Sequence, residues 1–354
     1  MAAALQARLR AAWVARGPLA LALLPLSLMH SFLAATRRQL YRWQWLRSHQ
    51  LRDTVIVVVG NVVAGGAGKT PVTIAVVEHL LAQGYAVGVV SRGYGRSSRA
   101  CTEVFADATA GEAGDEPLLI KRKTTVPVFV AADRHTAALA LKARHPETQV
   151  IVCDDGLQHY GLFRDVEICV FDDRGYGNGW TLPAGPLRQA WPRQAVQAVG
   201  QDNEKMITLH TGAHPAFEGL RGSRRLADYA LRKDGSKVPW SKLAESQEPQ
   251  WQAVAGTSQP EEFFAMLKAA GLTMLATLAL PDHYDFDSLP RSICRASSLI
   301  CTEKDAVKLW HIAPQALAIP LVFTMEPAFY ARLDATVQRA VAAKLSFHHG
   351  HTTS

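Results

Sequence analysis

The chain lacks any disulfide framework. Its five cysteines, Cys101, Cys153, Cys169, Cys294 and Cys301, are scattered and form no CxxC pair. That excludes a stapled secreted domain and a cysteine zinc site. Cys153 and Cys169 fall in apolar strand-like runs and read as small core residues of a reducing compartment. Internal repeats and low-complexity tracts are also missing, and no DNA- or RNA-reading signature is present. The tail histidines His348, His349 and His351 are too terminal to make a metal site. With nucleic acid set aside, the net charge of +7 suits an acidic lipid surface or a phosphorylated substrate. At 354 residues and 48% apolar content, the chain can build two domains with a sizeable core.

What is present centres on residues 55–71. Val55-Ile56-Val57-Val58-Val59 reads as a strand buried on both faces. A loop follows, Gly60-Asn61-Val62-Val63-Ala64-Gly65-Gly66-Ala67-Gly68, then Lys69-Thr70 and a helical pattern from Val72 to Leu81. Strand, glycine loop and helix make a phosphate cradle, in which Val63 to Thr70 offer backbone N–H groups and the helix its positive end. Lys69 reaches the terminal phosphates of ATP, and the Thr70 hydroxyl holds Mg²⁺. Val63 stands where the general pattern has a glycine, so Gly65, Gly66 and Gly68 carry the flexibility.

Pro18 to Ala35 has no formal charge, and arginines flank it on both sides: Arg8, Arg10 and Arg16, then Arg37, Arg38 and Arg42. Tyr41, Trp43 and Trp45 follow like interface anchors. A signal peptide would carry an ATP loop away from ATP. A full span would export arginines, and Pro25 interrupts the helix. An interfacial helix on an anionic leaflet fits better, with a buried core helix as the alternative.

Four further stretches carry polar residues at strand ends. Ser91-Arg92-Gly93-Tyr94-Gly95-Arg96 offers two arginines for phosphate or for solvent. Asp115-Glu116-Pro117 can cap a helix, supply a catalytic carboxylate, or both. Asp154-Asp155 after an apolar strand is the second half of a phosphate-loop nucleotide site, with carboxylates for Mg²⁺. A Gly/Pro-rich loop from Gly177 ends in Arg188, a candidate phosphate clamp.

The fold expected is α/β, a mostly parallel sheet with helices on both faces like other phosphate-loop NTPases, plus a second, smaller α/β domain and an N-terminal membrane-associated helix. The boundaries expected are 1–50 for the membrane-associated segment, 51–200 for the phosphate-loop core and 201–250 for an irregular surface linker. Residues 251–325 form a second α/β (lid) unit, which takes in Pro320 to Phe323, and 326–354 a C-terminal helix and tail.

Taken together, these motifs resemble the tetraacyldisaccharide 4′-kinase family of lipid A synthesis. The resemblance rests on Gly60 to Pro71, Ser91 to Gly95, Gly114 to Pro117, Asp154 to His159, Gly177-Asn178-Gly179 with Leu182 to Arg188, Pro281-Asp282-His283 and Thr302-Glu303-Lys304-Asp305, all in the family's order. Val63 agrees with the family, whereas Gln189 and Ser258-Gln259-Pro260-Glu261 depart from its usual pattern. The resemblance implies a kinase on the cytoplasmic face of the inner membrane. It would use ATP and Mg²⁺ to phosphorylate a tetraacylated glucosamine disaccharide 1-phosphate, with no nucleic acid and no obligate protein partner. Carried over, Asp115 activates the hydroxyl and His283 is its partner. Asp154 and Asp155 are the Mg²⁺ carboxylates with Gln158 nearby, and Glu116 and Arg188 support the site beside Lys69.

Three other readings compete. A partitioning-type ATPase often has an early second lysine in its loop, which Val63, Ala64 and Gly65 do not supply. A GTPase needs Asn/Thr-Lys-x-Asp, but Asp305 follows Lys304 directly. A scaffold that has lost catalysis would tolerate Lys69→Ala and Asp115→Ala.

Overall fold

Every residue from Val55 to Gly60 is buried, as the unbroken apolar run requires of a strand covered on both faces. The computed structural model describes residues 9, 11–66, 68–192, 206–212, 214–245, 251–257, 259–282, 284–294 and 298–349. Its strands are β1 (Val55–Gly60), β2 (Val87–Ser91), β3 (Thr102–Glu103), β4 (Val128–Val130), β5 (Val150–Asp154), β6 (Val166–Phe171), β7 (Met206–His210), β8 (Leu220–Leu226), β9 (Tyr229–Leu231), β10 (Lys237–Pro239), β11 (Trp251–Ala255), β12 (Met274–Ala279), β13 (Leu299–Thr302), β14 (Leu317–Ile319) and β15 (Leu321–Met325).

They form two sheets, ordered β15-β8-β7-β6-β1-β5-β2-β4-β3 and β10-β9-β14-β13-β11-β12. Each is parallel at its centre. The antiparallel pairs are β3 with β4 and β15 with β8 in the first sheet, and β10 with β9 and β14 with β9 in the second. Along β1 the side chains alternate between two cores. Val55, Val57 and Val59 face one with Val72, Val76 and Leu80 of the helix Lys69–Ala82. Ile56 and Val58 face the other with Ala137, Ala138 and Leu141 of the helix Arg134–Arg144. The register sets Val59 beside Asp154, so the glycine loop and the paired aspartates leave neighbouring strands at one end of the sheet.

The stretch 201–250 is not an irregular linker. Its described part holds β7 and β8, which extend the first sheet, and β9 and β10, which belong to the second. β8 reads Leu-Arg-Gly-Ser-Arg-Arg-Leu, with no apolar run, and its strand geometry comes from pairing with β15 on one side and β7 on the other. Pro320 to Phe323 also needs correction. β14 lies in the second sheet, whereas β15, one proline later, returns to the first. Ala227 N donates to Pro320 O at 2.9 Å, so the two crossings between the sheets lie side by side. The helix Pro327–His349 then packs Phe329, Leu333 and Val337 onto the first sheet, and Lys344 Nζ meets Asp165 Oδ2 at 2.9 Å. Residues 350–354 of the expected tail lie outside the described residues.

The N-terminal helix runs unbroken from Pro18 to Arg42, through Pro25. Proline removes one backbone hydrogen bond there without ending the helix. The helix is long and apolar enough to cross a membrane, and its polarity is inverted. Ser27 Oγ donates to Thr181 O at 2.7 Å, and Ser31 Oγ lies 2.6 Å from Thr181 Oγ1, while Phe32, Leu28 and Leu33 are 70%, 62% and 59% exposed. A helix packed into a soluble core would show the opposite arrangement. The described cysteines are all free, with Cys153, Cys169 and Cys301 buried.

Candidate active site

The loop after β1 is braced from several sides. Asn61 Nδ2 donates to Val63 O at 2.7 Å and to Gly65 O at 3.2 Å. Val63 bridges Leu187, and Ala64 N donates to Pro186 O at 2.7 Å, so the Gly/Pro-rich loop serves as a buttress. Gly68 opens the helix Lys69–Ala82 with φ +72°, a left-handed conformation that favours glycine. A Cβ built on it would come within 2.9 Å of the Arg224 guanidinium. Gly68→Ala is therefore expected to cost about 1–2 kcal/mol of stability from backbone strain alone and to weaken ATP binding, read by calorimetric melting and titration. Retention of both would show that the left-handed turn is dispensable.

The aspartates after β5 have different environments. Lys69 Nζ is 3.7 Å from Asp155 Oδ1, and Arg188 Nη1 is 3.3 Å from the same oxygen. Burial raises the Asp155 carboxyl, but Lys69, Arg188 and Arg134 outweigh it and hold the group below its ordinary value. Asp154 is 1% exposed. Burial, then Glu116 and Asp155, pushes its carboxyl up to about 7. Thr73 Oγ1 donates to Asp154 Oδ1 at 2.8 Å, while Asp154 Oδ2 is buried with no hydrogen-bond partner among the described residues. An orphaned buried carboxylate oxygen is a place for a cation. Among the described residues no group of three His, Cys, Asp or Glu side chains could hold a metal by itself. The aspartates with Thr70 fit Mg²⁺, which keeps waters and takes substrate phosphate oxygens rather than a full protein cage. Gln158 Nε2 donates to Asn61 O at 2.9 Å, and its Oε1 accepts from Arg188 Nη1 at 3.4 Å. Gln158 O accepts from Arg37 Nη1 at 3.3 Å, which ties the N-terminal helix to the site.

Asp115 and Glu116 lie in the first turn of the helix Asp115–Thr124, where their charge meets its positive end, but Gly114 is the N-cap and no side chain caps the helix. The helix Glu303–Leu309 of the second body lies opposite. Lys304 Nζ sits 3.5 Å from Glu116 Oε1 and 3.4 Å from Asp282 Oδ1, and Lys308 Nζ sits 2.9 Å from Asp115 Oδ2. Burial opposes the charge on Lys304, but Glu116, Asp282, Asp305 and Asp115 more than offset it and raise the ammonium above its ordinary value. The Thr302-Glu303-Lys304-Asp305 motif divides its work. Thr302 caps the helix, and Asp305 accepts from Thr302 Oγ1 and Gly256 N. Glu303 meets Lys123 at 2.9 Å, so it and Lys304 reach across to the first body.

Between the two bodies is a cavity of about 450 Å³. Gly66, Gly68, Lys69, Thr70, Glu116 and Asp282 line its polar part, and Tyr229, Phe263, Met266 and Phe323 its apolar part. The cavity thus gathers Lys69, Thr70 and Glu116 from the expected site. Val63 and Ala64 brace its loop, and Gly65 lies beside Arg174, whose Nη2 donates to Gly66 O at 2.9 Å. Ala67 and His283 lie outside the described residues. Two site arginines were missed. Arg174 follows Asp172-Asp173 outside every motif singled out, and Arg224 lay in the supposed linker, where nothing in the sequence marked it.

A buried strand, a glycine loop with Lys69-Thr70 at a helix start, and paired carboxylates on the next strand define a P-loop phosphotransferase. The family model LpxK, described as tetraacyldisaccharide-1-P 4′-kinase, matches residues 19–341. A tetraacyldisaccharide 4′-kinase of Polaromonas sp. (strain JS666) is 50% identical, covering 97% of this chain and 99% of its own length. One from Acidovorax sp. (strain JS42) is 53% identical over 93% of this chain and 94% of its own. The crystal structure of LpxK from Aquifex aeolicus in complex with ATP superposes with a TM-score of 0.71 at 25% identity, covering 90% of this chain and 99% of that one. The chain belongs to the tetraacyldisaccharide 4′-kinase family, and it is an ATP-binding kinase.

Proposed function

We propose that the protein transfers the γ-phosphate of ATP, with Mg²⁺, to the 4′-hydroxyl of tetraacyldisaccharide 1-phosphate. The product is lipid IVA, on the way to lipopolysaccharide. The observation that carries this reading is the junction across the cavity, where Lys304 links Glu116 to Asp282 and Lys308 meets Asp115. That junction supports a site shared by the two bodies, with phosphates on the Lys69 cradle and an acid helix at its side. In this reading Asp115 takes the proton of the acceptor hydroxyl and His283, flanked by Asp282 and Tyr284, holds and tunes it. Asp154, Asp155 and Thr70 would hold Mg²⁺, which would neutralise phosphate charge when bound. Lys69 and Arg188 fix the aspartates and the phosphates, Gln158 steadies the loop, and water is excluded between the bodies.

The inverted N-terminal helix supports a place on the cytoplasmic face of the inner membrane, apolar face in the leaflet and arginines on head groups. A lipid acceptor then keeps its acyl chains in the bilayer while its sugar meets ATP. The membrane surface and the glycolipid are the partners this requires.

The test is incubation of the full chain with γ-labelled ATP, Mg²⁺ and the detergent-dispersed disaccharide lipid. Label is expected in the lipid, at the 4′ position by fragment mass spectrometry, and lost in Asp115→Ala and His283→Ala. Enzyme that binds ATP but leaves the lipid unlabelled contradicts the proposal.

A further inference from the structure

β8 carries Arg224 from the first sheet to the wall of the cavity. Its guanidinium lies over Gly68, where an added Cβ would meet Nη2 at 2.9 Å and Nε at 3.2 Å. Gly68 opens a fourteen-residue helix whose first N–H groups, with Lys69, form the phosphate cradle. Arg224 Nη1 meets Glu262 Oε2 at 3.0 Å, and Nη2 donates to Thr211 Oγ1 at 2.5 Å. Nε is buried and has no hydrogen-bond partner among the described residues. A planar fork whose buried Nε is unmatched, set over a phosphate cradle, is suited to a phosphate oxygen.

The neighbouring Arg174 has a different task. Its Nε and Nη2 are held by Asp172, and Nη1 and Nη2 donate to the loop carbonyls of Ala64 and Gly66. It braces the loop from outside, whereas Arg224 lines the cavity. Glu262, the carboxylate that holds Arg224, belongs to the helix Pro260–Ala269 of the second body. Burial raises the Glu262 carboxyl, with Asp172 and Asp173 adding to the effect against Arg224 and Arg174. A single carboxylate charge is a weaker competitor for the guanidinium than a triphosphate, which carries several.

We propose that Arg224 binds the terminal phosphates of ATP, exchanging its Glu262 contact for a phosphate oxygen. The assignment rests on the cavity being the ATP site. It makes the crossing strand between the two sheets part of the nucleotide site. It also makes phosphate and Glu262 alternative partners of one guanidinium, so occupancy of the cradle is sensed by the second body.

The test is calorimetric titration of the full chain in detergent with ATP and, separately, AMP, both with Mg²⁺. Arg224→Gln is expected to weaken ATP by about tenfold or more while AMP stays within about twofold. Arg224→Lys, which keeps the charge but not the fork, is expected to weaken ATP about threefold. Glu262→Gln should bind ATP at least as tightly as the parent chain. The assignment is overturned if Arg224→Gln leaves ATP affinity unchanged, if ATP and AMP weaken in parallel, or if Glu262→Gln loses ATP. Should Arg224→Gln fail to fold, Arg224→Lys and Glu262→Gln decide by the same outcomes. Lys69→Ala is the separate control: if it keeps full ATP affinity, the cavity itself is misread.

Discussion

Replacing Asp115 by alanine is expected to lower kcat by about a hundredfold or more, with ATP affinity unchanged. The split follows from position. Asp115 is 6% exposed at the start of its helix and meets Lys308, while its neighbour Glu116 lines the cavity. A group beside the nucleotide pocket rather than in it contributes to the chemical step more than to ATP binding. Asp115→Asn keeps the size and loses the carboxylate charge, so on the proposed role it should match alanine. If Asp115 served only as a structural partner of Lys308, the variants would melt earlier but retain kcat per folded molecule. Steady-state kinetics beside calorimetric melting separates the two.

Asp154→Asn is expected to abolish turnover and yet stabilise the metal-free protein. The sign follows from the carboxyl at about 7. Between its ordinary value and about 7, the folded chain keeps a proton that the unfolded chain has lost. Metal-free stability therefore falls as pH rises through that window, and the full penalty stands above it. Asparagine carries no such charge. At pH 8 in EDTA the variant should gain about 2 kcal/mol, read as a melting temperature a few degrees higher. On the proposed role of Asp154 as a Mg²⁺ ligand, protons and Mg²⁺ compete for it, so half-saturating Mg²⁺ should be about tenfold higher at pH 6 than at pH 8. A lower melting point for the variant in EDTA, or a Mg²⁺ requirement that ignores pH, would remove Asp154 from the cation site.

The first sheet was readable where chemistry and pattern coincide. Val55 to Val59 had to be a doubly covered strand, the Gly-Lys-Thr turn had to follow it, and an apolar strand ending in Asp154-Asp155 had to lie close by. The crossing strands were not readable. β8 mixes three arginines with glycine and serine, and only pairing with β15 and β7 makes it a strand. β15 follows β14 with a single proline between them, so one apolar run hid a change of sheet. Pro25 signalled an interruption, but the helix around it continues. Asp115 and Glu116 could be seen as acids at a helix start. That Lys308 and Lys304 hold them from the other body depends on tertiary contact, which no local pattern encodes.

The central claim is direct transfer: ATP on the Lys69 cradle and the lipid hydroxyl near Asp115 meet in one complex, without a phosphorylated enzyme. The most direct measurement is the stereochemical course with ATP made chiral at the γ-phosphorus, analysed in the phosphorylated lipid. A single in-line displacement is expected to invert the configuration. Retention would mean an even number of displacements through a phosphorylated residue, and would contradict the geometry described for this site.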